Sequence, residues 1–284
     1  MSIKDNRSEY DAAYARRSEQ TFFIEQGSLV AAIRDWSKNV LVVASSPEYG
    51  ENIAGLFDEV VYRDSFLKWR RPGEPAESFA GRYKGTRVSL HHIGITPGAT
   101  GACYMDMGME QLRGSPVHNV IVIGELSSLQ KDVKIGDLVA ATSAVRADEC
   151  LRSYADPDIP ATANVEVSWA LEKAAKARGY TIHSGVCWSC GAGAGIYDPF
   201  LAEEALKLAD LGVLGSALEA STAYLLGSIL GLRVGSLWLA TDSVYEPITW
   251  KSPSPRLGWT GAWEKLARTA LDALASFGED EERK

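Results

Sequence analysis

Three carboxylates lie where the sequence predicts apolar strands or helices. Glu125 directly follows the apolar run 120–124, Asp242 lies near the end of the run 233–243, and Glu219 stands in an apolar helical stretch. An unpaired carboxylate is costly to bury, so these positions indicate groups that bind a ligand or handle a proton. Two of them also have a simpler interpretation, because a helix glutamate is usually solvated and a strand-end aspartate can be a helix N-cap.

The four cysteines of the chain do not add a metal or redox chemistry to this pattern. Cys187 and Cys190 have the CxxC spacing, but no second pair and no nearby histidine completes a zinc site, and no helix begins directly after them. We therefore expect neither a metal nor another cofactor.

Composition and charge limit the possible partners. The 284 residues are 46% apolar and 23% charged, which excludes a disordered chain and allows a large core. The net charge of −8, with lysines and arginines scattered, weighs against nucleic acid or an anionic membrane as a partner. The chain starts without a signal-peptide core and contains no apolar run of about 18 residues, so we expect a cytoplasmic protein.

Strands and helices alternate along the chain, and this alternation predicts a largely parallel sheet between helical layers. A polar, amphipathic helical segment, 5–37, precedes them, and a charged stretch with prolines, 69–76, is predicted to be a loop. The predicted strands are 39–45, 87–96, 120–124, 137–145, 180–188 and 233–243, and the predicted helices are 51–57, 167–180, 199–210, 216–231 and 261–277.

The order and spacing of these segments resemble the nucleoside phosphorylase superfamily. The resemblance runs from residue 39 to residue 277, and VLVVASSPEYGENIAGLF takes the place of that family's first strand and phosphate loop. Several separated motifs in one order make it more specific than any short motif. The stretches that carry it are GRYKGTRVSLHHIGI, VHNVIVIGELSSLQKDVKIGDLVAATSAVRADE, RSYADPDIPATANVEVSWALEKAAKARGYTIHSGV and LGVLGSALEASTAYLLGSILGLRVGSLWLATDS.

The resemblance implies a fold and a division of the chain. The fold is a three-layer α/β/α sandwich with a mixed, partly barrel-like central sheet. Residues 1–38 are then an N-terminal helical extension, 39–277 one nucleoside phosphorylase-like domain and 278–284 a charged tail. The resemblance also implies a homo-oligomer, either a dimer, a trimer or a hexamer, with a small-molecule nucleoside as its ligand.

Two of the three carboxylates match residues that hold the nucleoside in this family. Cleavage of an N-glycosidic bond gives an oxocarbenium-like sugar and an electron-rich base, so a site must hold the sugar and relieve charge on the base. The resemblance implies that Glu219 accepts hydrogen bonds from both vicinal ribose hydroxyls, with Leu218 in place of a methionine that packs on the ribose. It implies that Asp242 protonates or hydrogen-bonds an imidazole nitrogen of a purine base.

The residues that bind phosphate in the phosphorolytic members are different in this chain. Tyr49 stands where the phosphate loop has an arginine, Glu125 stands where a turn supplies a hydroxyl, and a second arginine is also missing. Hydrolytic members instead orient water with a glutamate, so the resemblance favours Glu125 or Glu48 as a general base toward water. The alternative for Glu48 is a solvated residue of a turn.

Five further residues are candidates for contacts with the substrate. Arg146 matches family positions near the site, although a strand-end arginine also fits a structural ion pair. Neighbouring strand residues face opposite sides, so of the two adjacent histidines only one faces the cavity, and we predict His92, with Gly94 after it. Trp188 and Tyr197 either stack on the base or fill the core.

Two functions are compatible with these residues. The favoured one is an enzyme that acts at the N-glycosidic bond of a nucleoside or a nucleoside-derived metabolite, with hydrolysis or another acceptor favoured over phosphorolysis. The alternative is a non-catalytic nucleoside-binding or storage protein. Glu219 and Asp242 favour the enzyme, whereas the missing phosphate ligands permit the alternative.

Overall fold

The computed structural model describes residues 35–45, 48–64, 78–92, 102–147, 149–190, 199–246 and 260–278. Most of the predicted N-terminal helix, the predicted loop 69–76, Gly94 and Tyr197 lie outside these ranges. The strands are β1 (Asn39–Ala44), β2 (Glu59–Asp64), β3 (Ser78–Tyr83), β4 (Thr86–His92), β5 (Asn119–Ser128), β6 (Leu138–Ala147), β7 (Ala161–Thr162), β8 (Ile182–Cys190), β9 (Gly215–Ser216) and β10 (Arg233–Ser243). The helices are α1 (Glu48–Ala54), α2 (Ala102–Glu110), α3 (Val165–Ala177), α4 (Ala202–Asp210), α5 (Ala220–Leu230) and α6 (Gly261–Ala275), and a short 3-10 helix covers Glu149–Ser153.

Four strands run in the same direction through the middle of the sheet. Strand β1 pairs in parallel with β4 on one side and with β5 on the other, and β5 pairs in parallel with β10. All six residues of β1 are buried, as are the first six of β5 and all but the first of β10. A parallel strand covered on both faces needs such continuous apolar runs, which is why the sequence predicted these strands well.

The sheet closes on one side into a barrel. The strand order is β10-β6-β8-β9-β5-β1-β4-β3-β2, and β10 also pairs with β5, which completes a ring of five strands. Strands β1, β4, β3 and β2 continue from this ring as an open wing. Because β6 runs antiparallel to β10 and parallel to β8, the sheet is mixed. The predicted mixed, partly barrel-like sheet is confirmed.

Helices cover both faces of the sheet and make it the middle of three layers. On one face, residues of α1, α3 and α6 share a core cluster with alternate residues of β1 and β5, such as Leu41 and Ile121. On the other face, residues of α2 and α5 pack with the intervening residues, such as Val40 and Val120. No helix in the described ranges is both long and apolar enough to cross a membrane.

Several element boundaries differ from the sequence-based prediction, and two of these differences have a clear local cause. The predicted helix 216–231 begins only at Ala220, because the backbone just before it is taken up by the barrel: Ser216 pairs with Ser127, and the Ala217 amide donates to the Trp188 carbonyl at 2.9 Å. Glu219 is therefore at the entrance of the helix and not inside it. The strand predicted at 180–188 begins at Ile182, because the helix before it ends in a turn that includes residue 180.

Several elements escaped the sequence analysis, each for a local reason. The residues of strand β2 from Glu59 to Arg63 are exposed, and charged residues lie near both of its ends, so it lacks the apolar run of a buried strand. Strand β3 contains Gly81, where a Cβ atom would lie 2.1 Å from the Glu59 carbonyl oxygen, so close strand packing requires glycine. Helix α2 contains Gly108 and has no acidic residue in its first turn and no basic residue in its last turn.

Candidate functional site

The carboxylates identified in the sequence lie at one edge of the sheet. Strands β1, β4, β5 and β10 are parallel, so their carboxyl ends meet at the same edge. Glu125 and Asp242 lie in the last few residues of β5 and β10. Glu219 follows β9, whose Ser216 pairs with Ser127 near the end of β5. Carboxyl ends of parallel strands are the usual place for ligand sites in α/β proteins.

Glu125 belongs to a small polar cluster at this edge. The Ser45 hydroxyl donates a hydrogen bond to Glu125 Oε1 at 3.2 Å, and His92 Nε2 lies 2.5 Å from the Ser45 carbonyl oxygen. Ser45 and His92 are buried, whereas Glu125 is only partly buried. The hydroxyl therefore contacts a carboxylate that keeps access to solvent, as a group that activates water requires.

The register of β4 places only one of the two adjacent histidines on the side of this cluster. His92 lies beside Val43 and His91 beside Val42, so their side chains face opposite sides of the sheet. His91 Nδ1 lies 3.4 Å from the Ser78 hydroxyl. The predicted opposite orientation of the two histidines is confirmed, while substrate contact by His92 stays a prediction.

A β-bulge sets the direction of Asp242. Strand β10 pairs Leu239 with Glu125, but the register shifts after Ala240, so Asp242 pairs with Ser127. Since Glu125 and Ser127 are two residues apart on β5, this shift places Asp242 on the sheet face that they share. Asp242 is 1% exposed and is followed by strand and turn residues, so it is not a helix N-cap.

Glu219 is buried at the N-terminus of α5. It is 4% exposed and occupies the N-cap position, but its side chain makes no cap hydrogen bond. The positive end of the helix dipole stabilises a carboxylate at this position. Leu218, the neighbouring residue, is partly buried against a small core cluster that contains Trp188.

The position that the family resemblance assigns to a phosphate-binding arginine is occupied here by a core residue. Tyr49 in α1 is 1% exposed, and its ring lies 4.3 Å from that of Trp263 in α6, centroid to centroid. Both side chains belong to the core cluster on that face of the sheet. Phosphate binding through residue 49 would need a side chain that points to the sheet edge, whereas Tyr49 is packed into the core.

Two of the predicted substrate contacts have other partners in the structure. The two terminal nitrogens of Arg146 donate to four backbone carbonyls of the loop 151–159, at 2.6 to 3.4 Å. This arrangement is structural, although it uses carbonyls and not the ion pair considered above, and it does not support a role in ligand binding. Trp188 is buried in a cluster with Leu129, Leu208 and Val213, as the core-filling interpretation predicts.

Three remaining candidates cannot be placed. Glu48 begins α1, but its side chain lies outside the described part of the structure, as do all atoms of Gly94 and Tyr197. Their predicted roles stay predictions.

The CxxC pair does not form a common site. Cys187 and Cys190 are three residues apart on β8, so they face opposite sides, and they pack in different core clusters. Burial raises the pKa of the Cys187 thiol to about 12, which keeps it protonated near neutral pH. Among the described residues, no three histidine, cysteine, aspartate or glutamate side chains are grouped so that they could hold a metal ion.

Two serines at the site were not singled out in the sequence. Ser45 contacts Glu125, and Ser189 near the end of β8 donates to the Ala217 carbonyl at 2.8 Å. Serines at the ends of apolar strands are too common to indicate either contact. A cavity of about 250 Å³ lies at the opposite edge of the sheet, lined by residues 35–39, Arg87 and Pro116, away from the carboxylates.

Comparisons with known proteins agree with this geometry. The sequence pattern of the family described as the phosphorylase superfamily matches residues 39–256. The chain is 28% identical to a uridine phosphorylase of Thermococcus kodakarensis over 254 residues, which cover 86% of this chain and 84% of that protein. It is 28% identical to a DeoD-type purine nucleoside phosphorylase of Streptococcus suis over 171 residues, or 60% of this chain and 69% of that protein.

A solved structure shares the fold. A uridine phosphorylase of Vibrio fischeri, in complex with 6-hydroxy-1-naphthoic acid, superposes with a TM-score of 0.70 and 24% identity. The superposition covers 86% of this chain and 93% of that protein. The barrel, the open wing and the helical layers are therefore a known architecture.

Proposed function

This chain belongs to the phosphorylase superfamily, and we propose that it cleaves the N-glycosidic bond of a nucleoside or a nucleoside-derived metabolite with water, or another neutral acceptor, in place of phosphate. The observation that carries this proposal is the exchange at the phosphate end of the site: Tyr49 is packed against Trp263, and Glu125 accepts a hydrogen bond from Ser45. In this proposal Asp242 binds the nucleobase and Glu219 binds the sugar.

Electrostatics support the exclusion of phosphate. Phosphate carries about −1.5 to −2 charges at neutral pH. A carboxylate about 4 Å away repels each unit charge by roughly 4 kcal/mol at an effective dielectric near 20. A millimolar phosphate site has only about 4 kcal/mol of binding free energy in total. A carboxylate at the position of Glu125 therefore opposes phosphate binding by at least as much free energy as such a site provides, which supports the proposed neutral acceptor.

The proposed reaction assigns one task to each carboxylate. Glu219 accepts hydrogen bonds from the ribose hydroxyls and fixes the sugar. The Glu125 carboxylate takes a proton from water as the water oxygen bonds to C1′. The bond between C1′ and the base nitrogen breaks, Asp242 hydrogen-bonds the imidazole nitrogen of the leaving base, and the proton taken from water passes to the base. The products are the free sugar and the free base. An imidazole nitrogen accepts such a proton readily, so Asp242 supports a purine as the leaving group.

The test is base release from a panel of purine and pyrimidine nucleosides, with and without phosphate. We expect release without phosphate, unchanged by its addition, and loss of this release in Glu219→Gln. Release that requires phosphate contradicts the proposed acceptor. Binding of nucleosides without any release supports instead the non-catalytic alternative. Glu246→Gln, which changes an exposed carboxylate next to the end of β10, is the matched control.

The predicted homo-oligomer and the cytoplasmic location stay predictions. Trp169 on α3 is 67% exposed and Phe200 before α4 is 94% exposed, and aromatic side chains of this kind are enriched at protein interfaces. Light scattering coupled to size-exclusion chromatography is expected to give at least twice the mass of one chain.

A further inference from the structure

We propose that Ser189 is the positioning residue for Glu219. Its hydroxyl makes hydrogen bonds to the backbone on both sides of Glu219 in the chain, which holds this segment at the end of β8 and directs the carboxylate toward the ribose. This inference rests on the proposed function, because it takes Glu219 as the residue that binds the sugar. Ser189 itself is not proposed to touch the substrate, because its hydrogen bonds are made to the protein backbone.

The hydroxyl of Ser189 makes two hydrogen bonds that flank Glu219 in the chain. It donates to the Ala217 carbonyl at 2.8 Å and accepts from the Ser221 amide at 3.0 Å. Ser189 is 0% exposed, so water does not compete for either bond. One buried oxygen atom therefore binds the backbone of Ala217, two residues before Glu219, and of Ser221, two residues after it.

These bonds replace the ordinary cap of the helix. Glu219 occupies the N-cap position of α5, and Ser221 is the second residue of that helix. An N-cap side chain normally accepts from the amide at this position or the next. Glu219 makes no such bond, and Ser189 accepts from Ser221 in its place. The carboxylate of Glu219 is thus not used to begin its own helix.

Strand β8 is a rigid support for this arrangement. The Ala217 amide donates to the Trp188 carbonyl at 2.9 Å, and the Ala217 carbonyl accepts from the Ser189 hydroxyl. Two consecutive residues of β8 therefore bind both backbone polar groups of Ala217. Ser216 also pairs with Trp188 in the sheet. Ligand groups held by such supporting contacts keep the geometry that binding needs.

The consequence is specific to the sugar, so the readout is discrimination between ribose and 2′-deoxyribose. We measure equilibrium binding of adenosine and 2′-deoxyadenosine, and of uridine and 2′-deoxyuridine, to the full chain. A carboxylate that contacts the 2′-hydroxyl gives the wild-type chain a preference for the ribonucleoside of roughly tenfold or more. Ser189→Ala is expected to reduce this preference to about twofold, as Glu219→Gln does, and to have no further effect on it in the double variant.

A matched control separates this role from a loss of stability. Ser37 is 4% exposed, donates to the Arg87 carbonyl at 2.6 Å and accepts from the Asn39 amide at 2.9 Å. It therefore makes the same two kinds of bond at the opposite edge of the sheet. Ser37→Ala is expected to lower stability by a similar amount and to leave the ribose preference unchanged.

A second pair of variants isolates the hydroxyl if Ser189→Ala folds poorly. Ser189→Thr and Ser189→Val add the same bulk and differ in one hydroxyl, so the threonine variant should keep the preference and the valine variant should lose it. An unchanged preference in Ser189→Ala or Ser189→Val overturns the inference and leaves the proposed function intact. Failure of the wild-type chain to bind either ribonucleoside, together with no base release from any nucleoside of the panel, contradicts the proposed function and removes the inference with it.

Discussion

Glu125 differs from the other two carboxylates of the site in its surroundings. Asp242 and Glu219 are almost completely buried, whereas Glu125 is partly buried and accepts a hydrogen bond from Ser45. A general base must reach water, which the partial exposure of Glu125 permits, and the hydrogen bond from Ser45 holds the carboxylate in place. Glu125, which stands where the resemblance implies a phosphate-binding hydroxyl, therefore has the surroundings that activation of water requires.

Glu125→Gln is therefore expected to reduce nucleoside hydrolysis by about 10²- to 10⁴-fold, because it removes the proton acceptor and keeps the size of the side chain. Steady-state rates of base release check this effect. Glu264→Gln, at the surface of α6, serves as the control. Wild-type rates in Glu125→Gln would remove this residue from the mechanism.

Gly124 shows how closely the strands approach beside the site. A Cβ atom at this residue would lie 2.7 Å from the Ala44 carbonyl oxygen and 2.8 Å from the Trp238 ring. Backbone cannot move away easily, and the indole is fully buried. Glycine is therefore required at this position by packing alone.

Gly124→Ala is expected to lower the free energy of unfolding by about 1–3 kcal/mol through overpacking. Gly261→Ala is the matched control, because nothing lies within 4 Å of its Cβ position and it begins a helix. The control should change stability by less than about 1 kcal/mol. Urea unfolding of both variants checks the difference, and equal effects would show that the contacts around Gly124 relax.

At the scale of elements, α3 and α6 begin in different ways although they pack on each other. The Asn164 side chain caps α3 by accepting from the amides of Glu166 and Val167 at 3.0 and 3.2 Å. Thr260 occupies the same position before α6, but it makes no cap hydrogen bond with its side chain. Helix α6 thus depends more on its buried face, which includes Trp263 and Leu266.

Asn164→Ala is accordingly expected to lower the free energy of unfolding by about 1 kcal/mol, the usual contribution of an N-cap side chain. Thr260→Ala should have almost no effect. Thermal or urea unfolding of the two variants measures the contrast. A larger loss in Thr260→Ala than in Asn164→Ala would contradict the assignment of the caps.

At the scale of the whole molecule, one ionic network joins elements that are distant in the chain. Asp272 on α6 accepts from Arg178 after α3 at 2.5 Å, from Lys84 at 2.7 Å and from the Tyr83 hydroxyl at 2.9 Å. Burial acts to raise the pKa of the Asp272 carboxyl, but the hydrogen bonds from these three residues outweigh it and lower that pKa below its ordinary value.

This lowered pKa gives the stability an acid dependence. The contribution of Asp272 is complete above the pKa of an unfolded aspartate, near 4, and is lost as the pH falls through the lower folded-state value. Asp272→Asn is expected to cost about 1–3 kcal/mol at pH 7, with a difference from wild type that shrinks toward pH 2. Urea unfolding across this range checks it, with exposed Asp132→Asn as the control. A difference that is constant with pH would exclude this ionic contribution.

The sequence by itself determined the layers of the fold, the family and the carboxylates. Runs such as those of β1 and β10 are apolar throughout because parallel strands are covered on both faces, and amphipathic helices repeat their apolar residues locally. Gly179, which follows α3 with a positive φ of 70°, is also a local signal for the end of a helix. These signals depend on residues that are near each other in the chain.

Only the tertiary structure decided how the site is assembled. The bulge before Asp242 changes the face on which its carboxylate lies, although the run 233–243 predicts a regular strand. Tyr49 became a core residue because Trp263 packs on it, and Ser45 meets Glu125 from 80 residues away. Ser189 caps a helix that begins 31 residues later, at Ala220. Each of these contacts joins two distant segments whose meeting no local periodicity encodes, because it arises only when the barrel closes and the helices pack on it.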